Sequence, residues 1–134
     1  MKKDIDFPPV KNVQLAVVQE RNDSDVLLWK VHILNRNKVT ITNVLVSSKG
    51  YGEKDGKKQS TSILRHFIET VGSEESAVIE SIDPDIFHLF NEYWVSYYIN
   101  EQIYDKKFIF VAGSINKKNL SYIDIIGKNG VLHS

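Results

Sequence analysis

The chain of 134 residues contains no cysteine, and neither sign of charge is in excess. The absence of cysteine excludes disulfide bonds, thiolate zinc sites and cysteine nucleophiles, and it is compatible with a reducing compartment. Lys plus Arg and Asp plus Glu both number 17, so the formal net charge is zero. A generic polyanion binder is therefore disfavoured, because such a protein needs clustered positive charge.

Long apolar runs are also missing, and none approaches the length that a membrane helix requires. The start, MKKDIDFPPV, carries two lysines as a signal peptide does, but Asp4, Asp6 and two prolines replace the apolar stretch that should follow. We therefore expect a soluble, cytoplasmic protein. The length predicts a single globular domain over 1–134, with residues 1–9 as an extended N-terminal segment.

Short stretches of alternating or β-branched apolar residues predict strands. In VLLWKVHILN, Trp29, Val31 and Ile33 share one face. Lys30 and His32 point the other way, so we expect His32 to be an exposed strand residue. After a polar turn the chain resumes as VTITNVLVSS, which predicts a hairpin.

Turn signals at close intervals separate about seven or eight such strands. The pattern predicts a mainly β fold, a two-layer antiparallel β-sandwich with an immunoglobulin-like arrangement. The term describes arrangement only, since the Cys, Trp, Cys spacing of immunoglobulin domains is absent. LSYIDII is expected to be the last strand, followed by a glycine-containing tail.

Residues 60–71 fit two structures. Apolar residues recur there at helical spacing, namely Ile63, Leu64, Phe67, Ile68 and Val71. Ile63, Phe67 and Val71 also lie on one face of a strand. The β-rich surroundings favour the strand, and a short helix at 60–71 stays the alternative, because local propensity yields to tertiary context.

Residues 49–59, KGYGEKDGKKQ, contain three glycines and almost no apolar side chain. They predict a mobile loop, either a solvated hairpin or a crossover. Four lysines stand beside Tyr51 in this region: Lys49, Lys54, Lys57 and Lys58. A weak nucleic-acid contact through these residues is one alternative function, although two acidic residues in the loop weigh against it.

The densest apolar stretch is NEYWVSYYINEQIYDKKFIF, residues 91–110. If Asn100 and Glu101 form a two-residue turn, Ile99 pairs with Gln102 and the register is fixed. One face of the hairpin then faces the core and consists of Tyr93, Val95, Tyr97, Ile99, Tyr104, Lys106, Phe108 and Phe110.

Four residues on the opposite face are too apolar for an idle solvent surface: Trp94, Tyr98, Ile103 and Ile109. Either the N-terminal segment or residues 84–91 cover them, or they form a binding surface. Because Trp and Tyr are common anchors at interfaces, we predict a non-catalytic binding or assembly module, acting as a homodimer or on another protein. The alternative is a small-molecule or carbohydrate-binding β-sandwich in which these rings stack on a ligand.

Chemical sites receive weaker support. Asp83, Asp85, His88 and Glu92 lie within ten positions of one another, as metal ligands or an acid–base cluster would. Turns around proline have the same composition, so we predict neither a metal nor a cofactor. Arg65 and His66, beside Glu69, fit an anion site or a charged outer face. No serine stands in a nucleophile elbow, and we expect no enzyme.

Overall fold

The computed structural model describes residues 8–134 and contains ten β-strands in two antiparallel sheets, with two single 3-10 turns. The strands are β1 Val13–Arg21, β2 Leu27–Asn35, β3 Ile41–Lys54, β4 Lys57–Ser60, β5 Leu64–Val71, β6 Glu75–Ser81, β7 Phe90–Ile99, β8 Gln102–Phe110, β9 Ser121–Ile123 and β10 Lys128–His133. The mainly β prediction is confirmed, but the strands number ten rather than seven or eight. Of the predicted N-terminal segment, residues 1–7 lie outside the described residues.

The first sheet has the strand order β6-β2-β1-β10-β9. Alternation in β1 turns Val13, Leu15 and Val17 toward the second sheet, and Ala16 and Val18 toward the outside. The chain does not end in a tail after LSYIDII, because β10 continues the sheet by pairing with β1. The expected last strand shrinks to the three residues of β9.

The second sheet has the order β4-β3-β7-β8, and β5 also pairs with β3. Residues 64–71 are therefore a strand, in which Ile68 lies opposite Val44 and Val71 opposite Ile41. Residues 49–59 form the hairpin alternative, since β3 turns through Asp55 and Gly56 into β4.

The inner faces of the two sheets enclose one apolar core in a sandwich-like arrangement. Its largest fully buried side chains include Tyr93, Tyr97 and Phe108. Asn35 joins the sheets at one end, because its buried amide donates to the carbonyl oxygens of Val71 and Gly72, at 3.0 Å each. This polar contact is satisfied inside the protein, as buried amides generally must be.

The β7–β8 hairpin has the predicted register, with Ile99 opposite Gln102. Asn100 adopts a φ of 55°, the left-handed conformation that such a turn requires and that asparagine tolerates. The predicted inner face is confirmed, although Tyr104 and Lys106 are only half-buried because β8 lies at the sheet edge. The Lys106 ammonium lies 4.7 Å from the centre of the Phe108 ring.

The outer face of the first sheet carries a second apolar cluster. Ala16, Val18 and Leu34 pack there against Ile123, the last residue of β9, and Ile126 in the turn that follows it. His32 lies on the same face opposite Ala16, and it is 6% exposed rather than solvated. The expectation of an exposed histidine is therefore wrong. Within residues 8–134, no helix has the length and apolar character needed to cross a membrane.

Candidate functional site

The outer face of the second sheet is apolar and open. Phe67 of β5 lies opposite Leu45 of β3, and Leu45 lies opposite Ser96 of β7. In the next row, Ser47 lies between Arg65 and Trp94. Phe67 is 59%, Leu45 54% and Trp94 46% exposed. We call this surface the outer aromatic face and define it by Leu45, Phe67, Trp94, Tyr98, Ile103 and Ile109.

The four residues predicted from the hairpin all belong to this face. Tyr98 lies opposite Ile103, and Ile109 lies opposite Glu92 in the next strand. Trp94 is the most exposed of the four, whereas Tyr98, Ile103 and Ile109 are half-buried among their neighbours. These four residues share a face because the two-residue turn fixes the pairing of β7 with β8 and because side chains alternate between the faces of a strand.

Leu45 and Phe67 were not predicted as part of the surface. In β3, Ile41 is buried, but beyond Asn43 the buried residues become Val44 and Val46, so that Leu45 turns outward. Asn43 has a φ of 49°, and the pairing of β3 with β7 shifts in register between Thr42 and Leu45. A bulge of this kind changes the face that the following residues present, and alternation alone does not locate it.

The bulge at Asn43 also explains why the expectation for β5, which pairs with β3, is wrong. Ile63, Phe67 and Val71 were expected on one side of a strand, but Val71 is buried while Ile63 and Phe67 are exposed. Val71 lies beside Ile41, before the bulge, and Phe67 lies beside Leu45, after it.

Trp94 is held in a fixed orientation on the outer aromatic face. Its Nε1–H donates to a carboxylate oxygen of Asp105. The Lys107 ammonium lies 4.9 Å from the centre of the indole ring, which is a cation–π distance. Glu92 lies between two lysines, with its carboxylate 3.7 Å from Lys49 Nζ and 4.0 Å from Lys107 Nζ. An anchor oriented in advance loses less conformational entropy on binding.

A shallow depression lies beside the indole. Its volume is about 210 Å³, and its lining includes Leu45, Ser47, Arg65, Trp94 and Ser96. The two serines are small, so they leave space between the larger side chains of Leu45 and Trp94. The depression therefore combines an aromatic wall, hydroxyl groups and a guanidinium group.

Residues 84–91 do not cover the outer aromatic face. Phe87 packs edge-to-face on Trp29 at 5.2 Å, and Leu89 is fully buried against the body of the sandwich. Phe90 stacks on Tyr51 at 5.6 Å instead of reaching Trp94. The other proposed cover, the N-terminal segment, lies outside the described residues except for Pro8 and Pro9.

A polar cluster that the sequence did not predict lies where β6 of the first sheet meets β3 and β5 of the second sheet. The Glu80 carboxylate accepts from Ser48 Oγ at 2.9 Å and from Tyr93 Oη at 3.0 Å. His66 Nε2 lies 2.6 Å from the same carboxylate. His66 therefore faces Glu80 of the other sheet and does not lie on a charged outer face.

This Glu80 cluster borders a cleft of about 290 Å³. Burial, and secondarily the Glu80 charge, raise the pKa of the Tyr93 phenol, so that Tyr93 stays a hydrogen-bond donor. Sequence distance hid the cluster, because its members come from four strands and no local spacing connects them.

The suggested metal cluster does not form. Asp83 accepts from the backbone N–H of Asp85 at 2.9 Å, as the cap of a single 3-10 turn. His88 Nε2 contacts Gln59 Oε1 at 2.8 Å, and Glu92 lies on the outer aromatic face between lysines. Residues 8–134 contain no group of three side chains arranged to hold a metal ion.

The lysine-rich hairpin lacks a free stacking platform. Tyr51 already stacks on Phe90, with the two rings inclined by only 14°. Lys58 lies opposite Glu53 in the hairpin, and Lys49 is 3.7 Å from Glu92. Both acidic neighbours reduce the positive charge available to a phosphate backbone.

Comparison of the chain with protein-family models, with curated proteins and with solved structures gives no match.

Proposed function

We propose that this protein is a non-catalytic binding or assembly module that forms a homodimer through the outer aromatic face. The supporting observation is that Leu45, Phe67 and Trp94, on three adjacent strands, are each about half exposed. Contiguous exposed apolar surface with a polar rim is typical of interaction sites, and tryptophan is a frequent anchor there.

Charge favours a second copy of the chain as the partner. The face carries Arg65 and Lys107 as well as Glu92 and Asp105. A two-fold symmetric interface must be complementary to itself, and a face with both signs of charge meets this condition.

The experiment compares Trp94→Ala with Tyr122→Ala. Tyr122 is 69% exposed but belongs to β9 of the first sheet, so it is a matched aromatic control. Light scattering should give twice the 15.4 kDa of one chain for the wild type and for Tyr122→Ala. Trp94→Ala should raise the dimer dissociation constant about tenfold or more, since truncated anchors cost on the order of 2 kcal/mol.

Circular dichroism must show that both variants are folded. An identical dissociation constant for Trp94→Ala and Tyr122→Ala would contradict the proposal, because a contact through this face depends on the indole.

The second candidate is a small-molecule or carbohydrate site at the depression beside Trp94. The exposed indole, the Ser47 and Ser96 hydroxyls and the Arg65 guanidinium support it. A panel of monosaccharides, disaccharides and small carboxylates should then change the tryptophan emission of the wild type but not that of Trp94→Phe. A flat response across the panel would count against this candidate.

Two finer expectations remain proposals. We infer an immunoglobulin-like arrangement, supported by the adjacency of β1, β2 and β6 in one sheet and of β3, β7 and β8 in the other. We also propose a cytoplasmic location, which the cysteine-free composition suits. A nucleic-acid role is the least supported alternative, because the lysine-rich hairpin has acidic partners.

A further inference from the structure

The two sheets differ in how their edge strands are protected. Edge strands expose unpaired backbone groups, and short or bulged strands protect against pairing with another chain. In the first sheet, β9 has three residues, and the pairing of β6 with β2 shifts between Val31 and His32. In the second sheet, β8 has nine residues without proline or glycine, and its pairing with β7 is uninterrupted. Within residues 8–134, β8 is therefore a long and regular edge.

The sequence of β8, QIYDKKFIF, is symmetric in residue type about Lys106. On either side of Lys106 stand an acid and a base, then two aromatic residues, then two isoleucines. In an antiparallel pair of identical strands related by a two-fold axis, residues at equal distances before and after the axis face each other. With the axis at Lys106, Asp105 faces Lys107 of the second copy, and Ile103 faces its Ile109.

The backbone of β8 suits this register. In a hairpin with a two-residue turn, the pair that flanks the turn exchanges both backbone hydrogen bonds, and the bonding then alternates along the strands. Ile99 and Gln102 are that pair here, so even-numbered residues of β8 bond to β7. The N–H and C=O groups of the odd-numbered residues, Ile103 to Ile109, point to the free edge. In the register centred on Lys106, odd-numbered residues of one copy face odd-numbered residues of the other. Their free N–H and C=O groups can therefore form backbone hydrogen bonds between the two copies.

Neighbouring registers are worse. With the axis at Asp105 or at Lys107, two like charges meet on the axis, and the two remaining charged residues face an isoleucine and an aromatic residue. The register centred on Lys106 has one like-charge pair, between the two Lys106 side chains. It has two opposite-charge pairs and two isoleucine pairs to offset that repulsion.

β5 is the competing edge, because Arg65 and Glu69 are also placed symmetrically about Phe67. It is less available, since His66 of β5 contacts Glu80 of β6 at 2.6 Å and the two strands lie close together. The free side of β5 is therefore partly occupied by the first sheet, whereas β8 pairs only with β7 among the described strands.

We propose that two copies of this chain associate by antiparallel pairing of their β8 strands, with Lys106 on the two-fold axis. The two second sheets then form one continuous sheet, and Ile103 and Ile109 of the outer aromatic face pack across the junction. Trp94 acts as a positioning residue, because it contacts both Asp105 and Lys107, the two ion-pairing residues. This inference rests on the self-association proposed above and places its contact at the β8 border of the outer aromatic face, where Ile103 and Ile109 lie.

The test uses the absence of cysteine, which lets a single introduced thiol report on one contact. Two residues facing each other in a non-hydrogen-bonded antiparallel pair have Cα atoms about 4.5 Å apart, within the disulfide range. Lys106→Cys should therefore form a covalent dimer when oxidised glutathione takes up the two electrons and two protons of the thiols. Phe67→Cys is the matched control at the centre of β5. It should cross-link at least about tenfold more slowly, because its thiols are not paired.

Charge exchange gives an independent readout if the thiol variant folds poorly. Asp105→Lys and Lys107→Asp should each raise the dimer dissociation constant about tenfold, because like charges then face each other twice. The double variant, with both substitutions, restores opposite charges and should recover most of the wild-type affinity.

The outcomes separate this inference from the proposed function. A wild-type dimer without rapid Lys106→Cys cross-linking and without recovery in the double variant would overturn the β8 geometry while leaving self-association intact. Cross-linking of Phe67→Cys instead would assign the contact to β5. A wild type that is monomeric at every concentration would contradict both the inference and the proposed homodimer.

Discussion

The outer faces of the two sheets both carry apolar side chains, but a cluster on the first sheet is covered while the cluster on the second sheet is open. On the first sheet, Ala16, Val18 and Leu34 are fully buried beneath Ile123 and Ile126. On the second sheet, Leu45 and its neighbours of the outer aromatic face stay open. The covering segment comes from about a hundred residues further along the chain than β1. Whether an outward apolar residue is buried or available to a partner therefore depends on whether a distant segment covers it. The sequence of its own strand does not contain that information.

The covered face should contribute far more to stability than the open face. Leu34→Ala removes a buried side chain and leaves a cavity, so it should lower the free energy of unfolding by about 2–5 kcal/mol. Leu45→Ala, the same substitution on the open face, should change it by no more than about 0.5 kcal/mol. Urea denaturation of both variants at low protein concentration, where association is absent, measures the difference. Equal losses would mean that the two faces are packed alike.

The covered face should also respond to pH through His32. Burial lowers the pKa of His32, because the charged imidazole loses its hydration, and its ring nitrogens have no partner within residues 8–134. The charged groups around it are Glu20, which favours the proton, and Lys30 and Lys128, which oppose it.

The folded pKa of His32 lies below the unfolded value of about 6.5. At a pH between these two pKa values, the unfolded state therefore binds more protons than the folded state. The stability contribution is complete above about pH 6.5 and is lost as the pH falls toward the folded pKa. Urea denaturation between pH 7.5 and pH 5 should show this slope in the wild type and a flatter one in His32→Leu. A wild-type slope unchanged in His32→Leu would remove the histidine as its source.

The smallest predicted difference concerns two glutamates that each lie between two lysines. Glu20 on the first sheet is 2.9 Å from Lys30 and 3.0 Å from Lys128, closer than Glu92 is to its lysines on the second sheet. Glu20→Gln should therefore lower the free energy of unfolding by about 0.5–1 kcal/mol, and Glu92→Gln by less than about 0.5 kcal/mol.

The pH dependence supplies the control for this pair. Hydrogen bonding to Lys30 lowers the pKa of Glu20, so its stabilising contribution is present above about pH 4.3 and is lost as the pH falls further. This loss lies below the histidine window. Thermal unfolding at pH 7 and pH 3 should show the difference between wild type and Glu20→Gln at pH 7 only; a difference that persists at pH 3 would contradict the ion-pair origin.

Local patterns predicted the β7–β8 hairpin because its register depends on two turn residues and a period of two, and both are visible in the sequence. They failed at an irregularity in a strand and where distant segments decide. The positive φ of Asn43 turns Leu45 outward, and Ile123 and Ile126 cover Ala16, Val18 and Leu34. The Glu80 cluster joins side chains of both sheets. The predicted number of strands was too low because residues 49–59 predicted a loop and the residues after LSYIDII predicted a tail, whereas these segments contain β4 and β10.

The most direct test of the central claim, that the open face is a surface for self-association, is the solution mass of the wild-type chain across a dilution series. Sedimentation velocity should give twice 15.4 kDa at high concentration and a reversible shift to 15.4 kDa on dilution. A mass of 15.4 kDa at every concentration would contradict the claim and would assign the face to a different molecule.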